Sequence, residues 1–164
     1  MTNQKRFTKI LLWLSLVIAF SLTLSACGAA PKVDWQLSVS GAVDTPTDFS
    51  FQELAELTQV DLDDVLMEKS RGEDEVRSFS GVPLSEIFAI VGAAEEFSSI
   101  TAIAADGYAI EVTKDEITDG IVALKQSDEW IAKADPNAGP IRLVFPATPA
   151  NRWVFQLNEI IVNP

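Results

Sequence analysis

The apolar residues of positions 33–164 fall in short runs, and this spacing is the feature that most constrains the fold. Gly, Pro and Asp separate the runs, so no segment is long enough for the helical crossover that joins neighbouring parallel strands. Strand-like alternation and helix-like spacing follow one another along the chain. The pattern therefore predicts an α+β domain with a mixed β-sheet and short helices.

Two short helices have clear sequence signals. Ser50 and Glu53 stand three residues apart, which predicts a capping box and a helix through about Leu57. A second helix is predicted from four apolar side chains at i, i+3, i+4 and i+7, ending at Gly92. These four side chains are Leu84, Ile87, Phe88 and Val91.

A β-hairpin is predicted where Asp106-Gly107 separates two apolar runs, residues 100–104 and 108–112, and the Asp-Gly pair is typical of a type I′ turn. Near the end of the chain, the spacing of Trp153, Leu157 and Ile160 predicts a helical turn before a last strand at 160–162. Other strands are predicted at residues 35–41, 59–69, 76–80, 121–124 and 141–145.

The N-terminus has the pattern of an export signal. Residues 1–9 hold three basic side chains and no acid, and residues 10–20 form an apolar run that is short for a membrane span. Leu24-Ser25-Ala26-Cys27 then resembles the lipobox of bacterial lipoproteins. The resemblance implies a signal peptide at 1–26, acyl chains such as palmitate on Cys27, a lipidated tether at 27–32 and a domain at 33–164. We therefore expect a protein of the bacterial cell envelope that is anchored to a membrane by its lipid and faces outside the cytoplasm.

The charge balance excludes one class of partner. The chain has 12 basic and 24 acidic residues and a net charge of −12. Removal of residues 1–26 leaves 9 basic against 24 acidic residues and a net charge of −15. A domain this acidic repels phosphate backbones, so nucleic acid is not expected as a partner.

Two absences from the sequence limit its chemistry. There is no histidine, which excludes imidazole-based triads and imidazole metal ligands. Cys27 is the single cysteine, so no internal disulfide and no thiolate cluster can form. If Cys27 carries lipid, no thiolate nucleophile remains. We predict no catalytic residue and no metal site.

Five segments occur in a recognisable order. They are residues 35–41 (WQLSVSG), 79–84 (FSGVPL), 106–108 (DGY), 139–146 (GPIRLVFP), and Trp153 followed by 160–162 (IIV). This order resembles the molybdopterin-binding domain of the sulfite oxidase family, in the form found in small secreted or lipid-anchored proteins. The resemblance implies that family's mixed α+β fold, and it makes molybdopterin and an oxidoreductase activity candidates.

The sequence differs from the family at the residues that ligate the metal and hold the cofactor. Catalytic members ligate molybdenum through a Cys between the first helix and the Gly-Val-Pro-Leu segment, and residues 60–80 contain no Cys. Family members also use His and several Arg to hold the pterin phosphate and an anionic substrate, whereas residues 27–164 contain no His and four Arg. Because the soft thiolate ligand is missing, we expect a domain without molybdenum chemistry.

Five residues are candidates for binding a cofactor or ligand. Arg142 lies in an otherwise apolar strand, where its guanidinium needs a carboxylate, carbonyls or an anionic ligand. Arg152 and Trp153 together offer a cation beside an aromatic face. Asp106 and Tyr108 offer a carboxylate and a phenol at one rim of a pocket. A purely structural role is also open in each case: an internal salt bridge for Arg142, a place in the core for Trp153 beside Arg152, and a turn for Asp106 and Tyr108.

An acidic cluster suggests calcium, but its spacing does not support a calcium site. Asp61, Asp63, Asp64 and Glu68 lack the Gly and the twelfth-position Glu of an EF-hand loop. The sequence favours a solvated strand edge here.

Three functions remain open from the sequence. The favoured one is a non-catalytic module that binds a small-molecule ligand or an envelope protein, with no resident cofactor. The alternative is a molybdopterin-dependent oxidoreductase, or a subunit that holds the cofactor without thiolate ligation. The third is a structural envelope component that has no ligand.

Overall fold

The structure is a computed structural model that describes residues 29–135, 137 and 139–164. The predicted signal peptide and Cys27 lie outside these residues. No helix in the described part of the chain is both long and apolar enough to cross a lipid bilayer.

The first sheet contains both ends of the domain. Its strand order is β2-β1-β11-β5-β6, and β1 is parallel to β11 while all other neighbours are antiparallel. The parallel pair makes the sheet mixed, as the sequence predicted. The strands are β1 (Gln36–Gly41), β2 (Thr47–Ser50), β5 (Ser99–Ala104), β6 (Ala109–Thr113) and β11 (Leu157–Asn163).

The second sheet is antiparallel throughout, in the order β10-β9-β7-β4-β3, with β8 added beside β7. Strand β3 lies at one edge of this sheet. The strands are β3 (Val60–Met67), β4 (Glu75–Pro83), β7 (Ile121–Gln126), β8 (Glu129–Trp130), β9 (Arg142–Val144) and β10 (Val154–Phe155).

Three short helices connect the strands: α1 (Phe51–Glu56), α2 (Leu84–Val91) and α3 (Ile131–Ala134). A 3-10 turn covers Ala150–Arg152. The predicted capping box is confirmed, because Ser50 Oγ accepts from the Glu53 N–H at 3.2 Å and the Glu53 carboxylate accepts from the Ser50 N–H at 2.8 Å. The predicted end of α2 is also confirmed, since Gly92 adopts the left-handed conformation with φ 64°.

One cluster of buried apolar side chains draws on both sheets and on the helices. Leu37 and Ile160 come from the first sheet, Val122 and Leu143 from the second, and Ile87 from α2, all at 1% exposure or less. Burial of a side chain of this size contributes about 1.5–3 kcal/mol. The cluster therefore holds the two sheets and the helices together as one domain.

The predicted hairpin is present, but its predicted type I′ turn is wrong. The Gly107 N–H donates to the Ala104 carbonyl at 2.9 Å, and Gly107 has a positive φ of 86° while Asp106 does not. This is a three-residue loop, in which Gly107 takes the left-handed position after the turn. A two-residue loop with positive φ at both positions does occur, at Ser127 and Asp128 between β7 and β8.

The predicted helical turn at Trp153, Leu157 and Ile160 is also wrong. Val154–Phe155 is a strand, Gln156 reverses the chain at φ 49°, and β11 begins at Leu157. The register of β11 against β5 shifts between Leu157 and Glu159, so a β-bulge adds one residue there. Because of the bulge, Leu157 and Ile160 both face the core although they are three residues apart, and this spacing is also typical of a helix.

Gly81 allows the backbones of β4 and β7 to approach closely in the second sheet. A Cβ atom at this position would lie 2.1 Å from the Val122 carbonyl oxygen, and the register between β4 and β7 shifts at this point. Strand β4 then continues to Pro83, and α2 begins at the next residue, Leu84. The close approach thus fixes the start of α2 against the start of β7, and these two elements form the pocket described next.

Candidate functional site

A pocket of about 620 Å³ opens where β3, α2 and β7 begin. We call it the α2 pocket. Its volume lies in the range of small-molecule sites. Its walls are completed by the segment before β5, the turn between β6 and β7, and Pro146. The lining residues are Val60, Asp61, Leu62, Pro83, Leu84, Ser85, Phe88, Phe97, Lys114, Ile117, Thr118, Asp119, Gly120, Ile121 and Pro146.

The interior of the α2 pocket is apolar. Leu84, Ile117 and Ile121 are buried, and their side chains form an aliphatic floor. Phe88 and Phe97 meet edge to face, with ring centroids 5.4 Å apart. Such a surface suits an apolar or aromatic ligand body.

A backbone contact and a glycine fix the wall between α2 and β7. The Leu84 N–H donates to the Gly120 carbonyl at 2.9 Å, which also satisfies one of the free N–H groups at the start of the helix. A Cβ on Gly120 would lie 2.8 Å from the Phe145 ring. A larger residue at position 120 would therefore displace the ring that supports this wall.

The charged side chains of the pocket are two aspartates and one lysine. Asp61 is the second residue of the edge strand β3, and Asp119 lies in the turn before β7; both are exposed and line the pocket. The Lys114 ammonium donates to the Glu95 carbonyl oxygen and lies 4.7 Å from the centroid of the Phe97 ring. The lysine thus has neutral partners within the protein, and with the two carboxylates the lining carries one net negative charge.

Arg152 and Trp153 are not part of the pocket lining. Arg152 binds both carboxylate oxygens of Glu116 at 2.9 Å and donates to the Glu111 carbonyl at 2.7 Å. The hydrogen bonds from Arg152, with those from Thr113, lower the pKa of Glu116 from 4.5 to about 2. The Trp153 indole N–H donates to the Phe145 carbonyl at 3.0 Å.

Arg142 is buried in the second sheet, 5% exposed, away from the pocket lining. Its guanidinium donates to Gln126 Oε1 at 2.7 Å and to Asp135 Oδ2 at 3.1 Å, and it lies 4.7 Å from the Phe155 ring centroid. Burial lowers the pKa of Arg142, and the charge of Asp135 opposes this shift. The guanidinium therefore has an internal acceptor and an aromatic neighbour.

Asp106 and Tyr108 lie at the tip of the β5–β6 hairpin. The Tyr108 N–H donates to Asp106 Oδ1 at 2.9 Å, and the Tyr108 side chain is half exposed. None of the five candidate residues lines the α2 pocket, so the structure does not bring them together around it. Their role in binding a cofactor stays a prediction.

Sequence reasoning did not identify the α2 pocket. Among its lining residues, the sequence had singled out Asp61 only as part of the acidic cluster, and Leu84 and Phe88 only as part of the apolar face of a helix. In the described part of the chain, no three His, Cys, Asp or Glu residues are placed to hold a metal ion.

Comparison with known proteins defines the class of the chain. The family model "Oxidoreductase molybdopterin binding domain" matches residues 27–164. The chain belongs to this family of oxidoreductase molybdopterin-binding domains, and the resemblance and the α+β fold predicted from the sequence are confirmed.

A solved structure shows the same fold. The chain is similar to the crystal structure of the sulfane dehydrogenase SoxCD from Paracoccus pantotrophus, with a TM-score of 0.68 and 21% sequence identity. The match covers 83% of this chain but only 40% of the other, so this chain spans less than half the length of that relative. A comparison with curated proteins found no match.

The lining of the α2 pocket does not fit the cofactor that names the family. Molybdopterin presents a phosphate and a dithiolene-bound metal, which call for cationic donors and a soft thiolate ligand. The lining contains no Cys, His or Arg, its single Lys is engaged with Glu95 and Phe97, and its other charges are two carboxylates. We therefore derive no reaction step through this cofactor.

Proposed function

We propose that the protein is a lipid-anchored module of the bacterial cell envelope that binds a small ligand in the α2 pocket without redox catalysis. The observation that carries this proposal is the apolar pocket of about 620 Å³, whose lining lacks Cys, His and Arg. The proposal keeps the family fold and assigns it a different site chemistry. Shared fold does not transfer the activity of a relative, because activity depends on the residues of the site.

Occupation of the pocket is tested by filling it. Thr118 is exposed and lines the pocket, so Thr118→Phe should occupy the space with little loss of stability. Small molecules that raise the melting temperature of the wild-type chain should fail to raise that of Thr118→Phe. Thr45→Phe is the matched control, because Thr45 is exposed and lies outside the lining.

Two results would contradict ligand binding in this pocket. Ligands that stabilise the wild-type chain and Thr118→Phe equally would place binding elsewhere. A broad screen without a single stabilising ligand would favour a purely structural envelope component.

The membrane anchor is supported by the sequence alone. The basic start, the apolar run at 10–20 and the Leu24-Ser25-Ala26-Cys27 segment together make Cys27 the expected site of lipidation. Labelled palmitate should enter the wild-type chain and not Cys27→Ser, and Cys27→Ser should leave the membrane fraction. Ser25→Ala keeps a small residue in the segment and should be labelled like the wild type.

Family membership supports one alternative, a molybdopterin-dependent oxidoreductase or a subunit that holds the cofactor without thiolate ligation. The full chain, purified from a host that makes molybdenum cofactor, should contain substoichiometric molybdenum by mass spectrometry and little pterin fluorescence after oxidation. Stoichiometric pterin, with or without metal, would overturn the proposed function in favour of this alternative.

A further inference from the structure

We propose that the ligand of the α2 pocket is a small organic cation with an apolar or aromatic body and an ammonium or guanidinium group. This inference rests on the proposed ligand-binding function and names the class of ligand.

The apolar part of the ligand follows from the floor of the pocket. Leu84, Ile117 and Ile121 present aliphatic carbon, and the edge-to-face pair Phe88 and Phe97 presents aromatic carbon. These side chains offer no strong hydrogen-bonding group. A polar ligand body would lose its hydration there without gaining new partners.

The positive charge of the ligand follows from two carboxylates with free acceptor oxygens. Among the described residues, neither Asp61 nor Asp119 takes part in a hydrogen bond or ion pair through its carboxylate, in contrast to Glu116, which Arg152 binds. The two aspartates come from separate elements, β3 and the turn before β7, and line the same pocket. A cation in the opening would give these acceptors a charged donor.

The one basic side chain of the lining does not reverse this preference. The Lys114 ammonium is held by the Glu95 carbonyl oxygen and the face of Phe97, and with two aspartates and one lysine the lining keeps one net negative charge. The chain also has a net charge of −12, which raises the concentration of cations near its surface and lowers that of anions. An anionic ligand would meet two carboxylates and a single lysine that is already bound to a carbonyl oxygen and an aromatic ring.

Three probes that share one body separate charge from shape: 4-phenylbutylammonium, 4-phenylbutanol and 4-phenylbutanoate. Each is titrated calorimetrically into the full-length chain in nonionic detergent at low salt, and a detergent blank is subtracted. The ammonium probe should bind about tenfold more tightly than the alcohol, which is the gain expected from two solvent-exposed ion pairs. The carboxylate probe should bind most weakly.

Substitutions assign the charge effect to the two aspartates. Asp61→Asn and Asp119→Asn should each weaken binding of the ammonium probe about two- to fivefold and leave the alcohol unchanged. Asp63→Asn is the matched control, because it removes the same charge from the same strand at an exposed position outside the lining. It should leave the affinity for all three probes unchanged.

The outcomes distinguish this inference from the proposed function. Suppose that the alcohol or the carboxylate binds as tightly as the ammonium probe or more tightly, and that Thr118→Phe abolishes this binding. The proposal of a cationic ligand would then be overturned, while the pocket would remain a ligand-binding site. Equal weakening by Asp63→Asn and Asp61→Asn would overturn the assignment to the pocket carboxylates. If none of the three probes binds, the proposal of a cationic ligand is also overturned. The ligand screen with Thr118→Phe then decides separately whether the pocket binds a ligand.

Discussion

Arg152 binds both carboxylate oxygens of Glu116, through Nε and Nη2 at 2.9 Å each, across 36 residues of sequence. The pair ties the 3-10 turn at Ala150–Arg152 to the turn after β6, and the next residue, Ile117, lines the α2 pocket. The ion pair therefore supports the pocket wall from outside.

The Arg152–Glu116 pair should make stability depend on pH. Because the pKa of Glu116 falls from 4.5 to about 2 on folding, its stabilising effect is complete above pH 4.5 and is lost as the pH falls toward 2. Both side chains are about 30% exposed, so solvent screens the pair and Arg152→Ala should cost about 1 kcal/mol at pH 7. Urea unfolding should show this difference shrinking between pH 4.5 and 2. A difference that is constant over this range, or equally large for the exposed control Arg71→Ala, would contradict the pair.

Arg142 should matter more for stability than its acidic partner. Arg142→Ala leaves a cavity beside Phe155 and removes a buried hydrogen-bond donor, which should cost about 2–4 kcal/mol in urea unfolding. Asp135→Asn keeps an acceptor at a side chain that is 50% exposed and should cost less than about 1 kcal/mol. If the two substitutions cost the same, the ion pair and not the packing holds Arg142 in place.

Gly81 should not tolerate a side chain. Because a Cβ would lie 2.1 Å from the Val122 carbonyl oxygen, Gly81→Ala must separate β4 from β7 and should cost about 3 kcal/mol. Gly72→Ala is the control: Gly72 has a φ of 87° with open space around it, so the left-handed conformation alone should cost about 1 kcal/mol. Chemical denaturation measures both, and equal losses would contradict the close approach.

The two faces of α2 should differ in their contribution to stability. Ile87 is fully buried and Ile90 is 47% exposed on the same helix. Ile87→Ala should cost about 2–5 kcal/mol through lost burial and a cavity, and Ile90→Ala should stay within about 0.5 kcal/mol. Thermal or urea unfolding that ranks the two substitutions in the opposite order would contradict the orientation of the helix.

The elements that the sequence predicted correctly are those with local causes. The capping box at Ser50 and Glu53 spans three residues, and the apolar face of α2 repeats within eight. Strand β2 was missed because its four residues, TDFS, become a strand by pairing with β1 rather than through a pattern of their own. The C-terminal segment was mistaken for a helical turn because a β-bulge produced helical spacing.

The pocket was beyond sequence reasoning for a related physical cause. Its lining combines segments that begin at Val60 and end at Pro146, and each contributes only a few side chains. Asp61 stands out in the sequence because of its acidic neighbours. Asp119, the other aspartate of the pocket, lies 58 positions further along the chain, so no local pattern connects the two. Such a site exists only after the sheets have assembled.

The parallel pairing of β1 with β11 also sets an order of events in folding. Ser38 lies opposite Glu159 and Gly41 opposite Val162, so the first strand of the domain has its central partner in the last one. Until residues 157–163 are in place, β1 can pair only with β2, and the first sheet stays divided into β1–β2 and β5–β6. Completion of the first sheet therefore depends on a contact between strands that are far apart in sequence, which is the kind of contact that slows folding.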